Sequence, residues 1–292
     1  MPRVSANGIA IEYESHGDPA AEPLLLVMGL GGQLTLWPIE LVEALVARGY
    51  HVIRYDNRDV GLSQRFDGAG VPNIPRTVLK AMFGLRPRTA YSLGDMAGDA
   101  VGLLDALGIA SAHVVGASMG GMISQLLAVH HPGRVRTLTS IMSTTGNRRL
   151  PRARPEAMKV LTGRPMSSSL PDAVDYGVKV ARTIGSPGYP AEETRLRERI
   201  ERDYRRGYYP PGIARQMAAI IADGDRRKRL KAITAPTLVI HGQDDPLVPV
   251  AGGRDTAAHI AGARLHEIPG MGHDLPVELV EEIADAIAAH AR

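Results

Sequence analysis

The chain has 292 residues, of which 44% are hydrophobic and 22% charged, and its formal net charge is +3. These values are ordinary for a globular protein and exclude disordered and fibrous classes. Cysteine is absent, which excludes disulfide scaffolds, cysteine-ligated metals and a thiol nucleophile.

Targeting signals and runs of charge indicate which classes of partner the chain has. No apolar run approaches the ~20 residues needed to cross a bilayer, and residues 1–17 lack the apolar centre of a secretory signal. We therefore expect a cytoplasmic protein with no membrane partner. The basic run at 226–231 has no nucleic-acid-binding motif beside it, so we also expect no nucleic-acid partner.

The first part of the chain alternates strand and helix patterns. Asn7-Gly8 joins two alternating stretches and predicts a β-hairpin, because both residues tolerate positive φ. The apolar run at 23–32 predicts a buried strand that ends in glycines. Helical spacing follows at 38–50, and a second buried strand with a polar loop follows at 51–63.

The alternation continues, is interrupted and then resumes. Residues 146–230 contain helical patterns without a convincing buried strand, and residues 146–231 carry 20 Lys/Arg against 10 Asp/Glu. Such a charge break indicates a distinct segment. We predict an α/β core domain from residues 1–145 and 231–292, with a mostly parallel sheet and helices on both faces, and a helical cap at 146–230. The remaining core patterns are a helix at 92–108, a strand at 112–118, a helix at 119–132, strands at 135–144, 235–245 and 263–273, and a helix at 276–292.

Ser118 lies in a G-x-S-x-G pattern formed by residues 116–120. The pattern alone is weak in a chain with 32 glycines, but here an apolar strand precedes it and a helix follows. A sharp strand-to-helix turn needs Gly116 and Gly120, because larger side chains would collide with the backbone, and the turn exposes the serine oxygen. The Met119 N–H then lies at a helix N-terminus, where it is a natural oxyanion donor.

A serine nucleophile needs a histidine base and a carboxylate that orients it. His273 is the best candidate base, because it follows a late strand in a glycine-rich loop, and functional groups gather at the carboxyl ends of parallel strands. The carboxylate is expected in the loop after the preceding strand, where Asp244 and Asp245 compete. Either choice gives the chain order Ser, Asp, His.

Four segments together resemble the α/β-hydrolase superfamily over almost the whole chain: GASMG, HGQDDPLVP, PGMGH and RYDNRDVGLS. The resemblance implies the α/β-hydrolase fold, with eight strands in a mostly parallel sheet and a helical cap inserted after strand 6 that covers the active site. LLLVMG, HVIRYDNRD and EIPGMGHDLP are similar to cofactor-independent esterases of the aclacinomycin methylesterase type and to the cofactor-free haloperoxidases.

The resemblance also assigns residues. The family's acid follows the strand-end glycine by three residues, which matches Asp245 after Gly242 and leaves Asp244 as a loop residue. The second oxyanion donor is implied to be the backbone N–H of Leu30, in a loop that has Met28-Gly29 where many relatives have His-Gly. The predicted site is therefore Ser118, Asp245 and His273, with the Leu30 and Met119 amides as the oxyanion hole.

The predicted activity is that of a carboxylesterase acting on small to medium esters through an acyl-enzyme, with no metal or organic cofactor. The alternatives are a cofactor-free haloperoxidase or perhydrolase, a C–C bond hydrolase and a catalytically silent small-molecule-binding protein. The sequence does not distinguish a monomer from a homodimer. Asp56, Arg58 and Ser63 are interpreted as structural groups of a loop near the site. Six residues of the cap either line an apolar pocket or pack cap against core: Met158, Met166, Met217, Tyr176, Tyr208 and Tyr209.

Overall fold

A computed structural model describes residues 2–167 and 169–292. Within them, one eight-stranded sheet has the order β1-β2-β4-β3-β5-β6-β7-β8. Strands β1 and β2 form the predicted antiparallel hairpin, with Asn7 and Gly8 at φ 51° and 78°. β2 pairs antiparallel with β4. The six strands β3 to β8 are all parallel to one another. The strands are β1 (Arg3–Ala6), β2 (Ile9–His16), β3 (Glu22–Val27), β4 (Tyr50–Tyr55), β5 (Ala112–Ala117), β6 (Val135–Ile141), β7 (Thr237–Gly242) and β8 (Arg264–Ile268).

Helices cover both faces of the sheet, as predicted, and each face has its own apolar cluster. Helices α3 and α4 contribute to one cluster and helices α1 and α11 to the other. Parallel strands that are buried on both faces explain the continuous apolar runs in the sequence. The helices are α1 (Ile39–Ala47), α2 (Ile74–Met82), α3 (Leu93–Ala106), α4 (Met119–His130), α5 (Pro155–Thr162), α6 (Leu170–Ile184), α7 (Glu193–Gly207), α8 (Pro210–Asp223), α9 (Arg227–Leu230), α10 (Ala251–Ala258) and α11 (Val280–His290).

Helices α5 to α9 lie between β6 and β7, and we call residues 155–230 the helical insertion. Buried ion pairs tie it to the loop after β4. Arg206 of α7 donates to Asp56 at 2.7 Å, and Arg215 of α8 donates to Asp59 at 2.7 and 2.9 Å. The insertion after the sixth strand matches the expected fold, whereas its treatment as a separate cap domain stays a prediction.

Helix α2 is an element that the sequence analysis missed. The Asn73 side chain caps it by accepting a hydrogen bond from the Arg76 amide at 2.9 Å, and Pro75 lies in its first turn. Its buried side chains are Thr77 and Ala81, which are too small to give a clear apolar period. No helix in the described part of the chain combines the length and apolar composition that spanning a bilayer requires.

The basic run at 226–231 contains one buried arginine among basic side chains that are more exposed. Arg226 is 1% exposed. Its guanidinium donates to Asp223 at 2.6 Å, to the Thr144 carbonyl at 2.6 Å and to Gln125 at 3.1 Å. This side chain therefore joins the end of the helical insertion to α4 and to the loop after β6.

Arg226→Met is expected to lower the free energy of unfolding by about 3 kcal/mol, because it leaves several buried acceptors without their donor. Lys228→Met is the matched control, since Lys228 is exposed in the same run and surface substitutions usually change stability by less than about 0.5 kcal/mol. Urea unfolding followed by circular dichroism measures both. Equal losses in the two variants would contradict the anchoring role of Arg226.

Candidate active site

Ser118 lies at the turn between β5 and α4 in a strained backbone conformation, with φ 56° and ψ −118°. Positive φ in a non-glycine residue costs free energy and persists only where its surroundings hold it. Two hydrogen bonds hold this turn: the Ser118 amide donates to the Ile141 carbonyl at 2.9 Å, and the Ser143 hydroxyl donates to the Ser118 carbonyl at 2.8 Å. The serine side chain is half-buried and faces a cleft.

The glycines around Ser118 are required by close backbone approach. A Cβ on Gly120 would lie 1.9 Å from the Val27 carbonyl oxygen, and one on Gly116 would lie 2.3 Å from the Gly120 carbonyl oxygen. The α4 N-terminus is therefore pressed against the end of β3 and against its own preceding strand. This is the collision that the sequence analysis predicted for both positions.

Ser118, His273 and Asp245 form one chain of hydrogen-bond distances. His273 Nε2 lies 3.0 Å from Ser118 Oγ, and His273 Nδ1 lies 2.7 Å from Asp245 Oδ2. The three residues come from the turn after β5, the loop after β8 and the loop after β7. Because a carboxylate only accepts, the Nδ1 proton points at Asp245 and leaves Nε2 free to accept from the serine. Such an arrangement can remove the hydroxyl proton.

Asp245 is buried, and its carboxylate accepts hydrogen bonds from two backbone amides. Oδ1 accepts from the Leu247 and Val248 amides at 2.8 and 2.7 Å. His241 Nε2 lies 3.6 Å from Oδ2. Burial opposes ionisation, but His273, His241 and the Val248 amide outweigh it and lower the pKa of Asp245 to about 2. Its neighbour Asp244 accepts from the Gly270 amide at 2.9 Å.

A second carboxylate, Asp274, follows His273 in the same cleft. Burial raises its pKa, against the opposing effects of the Ser186 hydroxyl, which donates to it, and of the Arg199 cation. The two acids near His273 thus differ: Asp245 is held ionised by direct hydrogen bonds, whereas burial disfavours the charge on Asp274.

Leu30 and Met119, whose amides are the predicted oxyanion donors, both line the cleft that contains Ser118. In the described residues neither the Leu30 nor the Met119 amide has a hydrogen-bond acceptor, as expected for Met119 at the first position of a helix. A Cβ on Gly29 would lie 3.0 Å from Ser118 Cβ, so the loop after β3 runs directly over the serine. Their role as an oxyanion hole stays a prediction.

Two residues that hold this loop were missed by the sequence analysis. Gln216 of α8 accepts from the Gly31 amide at 2.9 Å, and Asn57 donates to the Met28 carbonyl at 2.8 Å. Asn57 belongs to the DNRD segment that carried the family resemblance, which could have pointed to it. Gln216 is an amide within an amphipathic helix, and no sequence signal identifies its partner.

The loop residues interpreted as structural accept hydrogen bonds from backbone amides or form a buried ion pair. Asp56 accepts from the Leu34 and Leu62 amides at 2.7 and 2.9 Å. Ser63 accepts from the Glu12 amide, and Arg58 forms a buried bidentate pair with Asp99 at 2.6 Å. These contacts fix the loops around the site without reaching the Ser118 hydroxyl.

The cleft that contains Ser118 and His273 has a volume of about 3230 Å³, whereas ordinary small-molecule pockets have roughly 300–1,000 Å³. Four of the six insertion residues singled out from the sequence line it: Met158, Met217, Tyr176 and Tyr208. Met166 is 97% exposed, and the Tyr209 hydroxyl bonds Asp67 and Arg215 instead. Among the residues described, no three His, Asp or Glu side chains are grouped as metal ligands.

The depressed pKa of Asp245 makes its contribution to stability pH-dependent. Its folded value of about 2 lies below the ~3.9 of an unfolded aspartate, so its stabilisation is present above about pH 4 and is lost as pH falls to about 2. We expect the stability difference between wild type and Asp245→Asn to shrink by about 2 kcal/mol over that interval. Urea unfolding of both proteins across this range measures it, and a difference independent of pH would contradict the assignment.

Comparison with known proteins agrees with this fold. A family model described as the alpha/beta hydrolase fold matches residues 22–278. Rhodomycin D methylesterase DnrP of Streptomyces peucetius is 33% identical, over 99% of this chain and 97% of that protein, and DauP of Streptomyces strain C5 matches equally well. The crystal structure of the enol-lactonase from Burkholderia xenovorans LB400 has 26% identity and a TM-score of 0.75 and covers 99% of both chains. The chain therefore belongs to the α/β-hydrolase fold family and is an esterase-type hydrolase of that family.

Proposed function

We propose that the chain is a serine carboxylic ester hydrolase that forms an acyl-enzyme on Ser118. The observation that carries the proposal is the 3.0 Å distance from Ser118 Oγ to His273 Nε2, with the other ring nitrogen 2.7 Å from Asp245. The strained turn of Ser118 supports it further, because this conformation lifts the serine oxygen above the end of the sheet.

The proposed reaction begins with proton transfer from Ser118 to His273 as the serine oxygen attacks the ester carbonyl. The Leu30 and Met119 amides donate to the resulting oxyanion, and each such donor stabilises the transition state by about 3 kcal/mol in comparable sites. Asp245 keeps the imidazole oriented and stabilises its cation. The C–O bond to the alcohol then breaks, and His273 returns the proton to the departing alkoxide.

Water completes the cycle in the proposal. His273 takes a proton from the water as its oxygen attacks the acyl carbon, and the same two amides hold the second oxyanion. The bond to Ser118 breaks, the acid leaves, and the proton returns to the serine oxygen. No residue other than the three side chains and two amides is needed for a proton or a charge.

The volume of the cleft supports a bulky substrate. This volume of about 3230 Å³ exceeds what a small ester fills. The names of the two methylesterase relatives support methanol as the departing alcohol. We accordingly propose methyl esters of bulky carboxylic acids as the substrate class, and a cytoplasmic location on the strength of the cysteine-free composition.

Ser118→Ala is expected to lower kcat/KM for p-nitrophenyl acetate by at least about 10⁴-fold, because the nucleophile is lost while binding groups remain. Ser124→Ala is the matched control. Ser124 is buried on α4 and its hydroxyl has no partner in the described structure, so this variant should keep wild-type activity. Circular dichroism checks that both variants fold. A Ser118→Ala enzyme that retains a tenth of the activity would refute the proposal.

A further inference from the structure

Helix α2 and its flanking residues expose a group of large apolar side chains. Phe83 is 76% exposed, Met82 69% and Leu85 60%. Monomeric proteins seldom expose so many neighbouring apolar groups without a partner for them. We call this group the α2 apolar surface, and it consists of Val71, Val78, Leu79, Met82, Phe83 and Leu85.

The helical arrangement explains why these side chains face outward. Thr77 and Ala81 are the buried positions of α2, and the helix packs on α8 of the helical insertion. Successive residues of a helix are rotated by 100°. The large apolar residues therefore lie on the sides of α2 and on the face opposite Thr77 and Ala81; they are Val78, Leu79, Met82 and Phe83. The small residues of α2 therefore pack inward, while its large apolar side chains lie at the surface.

The same segment carries positive charge without any acid. Residues 68–94 contain Arg76, Lys80, Arg86 and Arg88 but no aspartate or glutamate. None of these four side chains has a hydrogen bond or an ion pair within residues 2–167 and 169–292. By contrast, the arginines of α7 are largely paired, for example Arg205 with Glu201 and Arg197 with Asp175.

An outward apolar face flanked by unpaired cations is the pattern of a helix that lies on an anionic lipid surface. A second copy of this chain is a poor occupant. A two-fold contact brings the same patch against itself, so four cations would face four cations with no acid in the segment to neutralise them. A bilayer that contains acidic lipids supplies both the apolar layer and the negative charge.

We infer that the α2 surface docks the protein on membranes that contain anionic lipid. Four members of the α2 apolar surface also line the cleft that contains Ser118 while remaining 40% to 69% exposed, namely Val71, Val78, Leu79 and Met82. Docking would therefore turn the mouth of the cleft toward the bilayer. The inference does not depend on the catalytic proposal, because binding can be measured without any ester. It differs from the expectation of no membrane partner, which rested on the lack of an apolar run of bilayer-spanning length and took no account of a helix that lies on a surface.

Co-sedimentation with vesicles tests the inference. Wild-type protein should sediment with vesicles made of equal amounts of phosphatidylcholine and phosphatidylglycerol, should bind pure phosphatidylcholine far more weakly, and should dissociate as salt is raised. Arg86→Gln/Arg88→Gln should weaken binding by roughly 25-fold, since each cation near an anionic surface contributes about fivefold. Phe83→Gln/Leu85→Gln should reduce binding at least as strongly through loss of apolar insertion.

Matched controls separate this surface from general charge and apolarity. Lys228→Gln/Lys231→Gln removes two exposed cations elsewhere, and Leu265→Gln removes an exposed apolar side chain on β8; both should bind like wild type. Absence of wild-type binding to the mixed vesicles, or binding that survives both α2 variants, would overturn the inference. So would sedimentation velocity that detects a dimer dissociated by Phe83→Gln/Leu85→Gln, since the surface would then join two copies.

Discussion

The candidate active site depends on the close approach between the N-terminus of α4 and the end of β3. A Cβ at position 120 would lie 1.9 Å from the Val27 carbonyl oxygen, so no residue larger than glycine fits there without displacing one of the two elements. That approach forces the chain to reverse over a single residue, and Ser118 occupies that residue with positive φ. The same approach brings Gly29 against Ser118, since a Cβ on Gly29 would lie 3.0 Å from Ser118 Cβ, and Leu30 and Met119 both line the cleft that contains the serine.

The helical insertion is coupled to this arrangement through buried polar contacts. Asp56 accepts one hydrogen bond from the Leu34 amide, in the loop after β3, and another from the Arg206 guanidinium of α7. Gln216 joins the Gly31 amide to the Arg58 carbonyl. Breaking one partner of such a buried pair usually costs several kcal/mol, so the insertion is fixed to the loop that would supply the oxyanion donor. Changes in the insertion are therefore expected to alter both the walls of the cleft and the position of that loop.

The predictable part of the fold is the part whose side chains are buried in a regular pattern. The parallel strands, the hairpin at Asn7-Gly8 and the Ser92-capped helix α3 follow from apolar periodicity and turn chemistry. Ser118 and His273 could be identified because each lies in a turn or loop that follows a strand, where topology brings such loops to one edge of the sheet. The same argument leaves Asp244 and Asp245 equal, and only the family resemblance separated them.

The remainder depends on contacts that sequence patterns do not encode. Helix α2 was missed because Pro72, Pro75 and Gly84 interrupt a short segment whose large apolar residues face outward. The pairing of Arg206 with Asp56, 150 residues away, follows from how α7 packs against the core, and an arginine-rich helix gives no indication of which of its cations will be buried.

The central claim is that Ser118 is the single nucleophile, and covalent labelling tests it most directly. Wild-type protein treated with a fluorophosphonate should gain one adduct by intact mass, and peptide mapping should assign that adduct to Ser118, because His273 and the two amides activate no other hydroxyl. The same treatment of Asp245→Asn should label far more slowly. An adduct on any other serine, or a wild-type protein that remains unlabelled, would contradict the account.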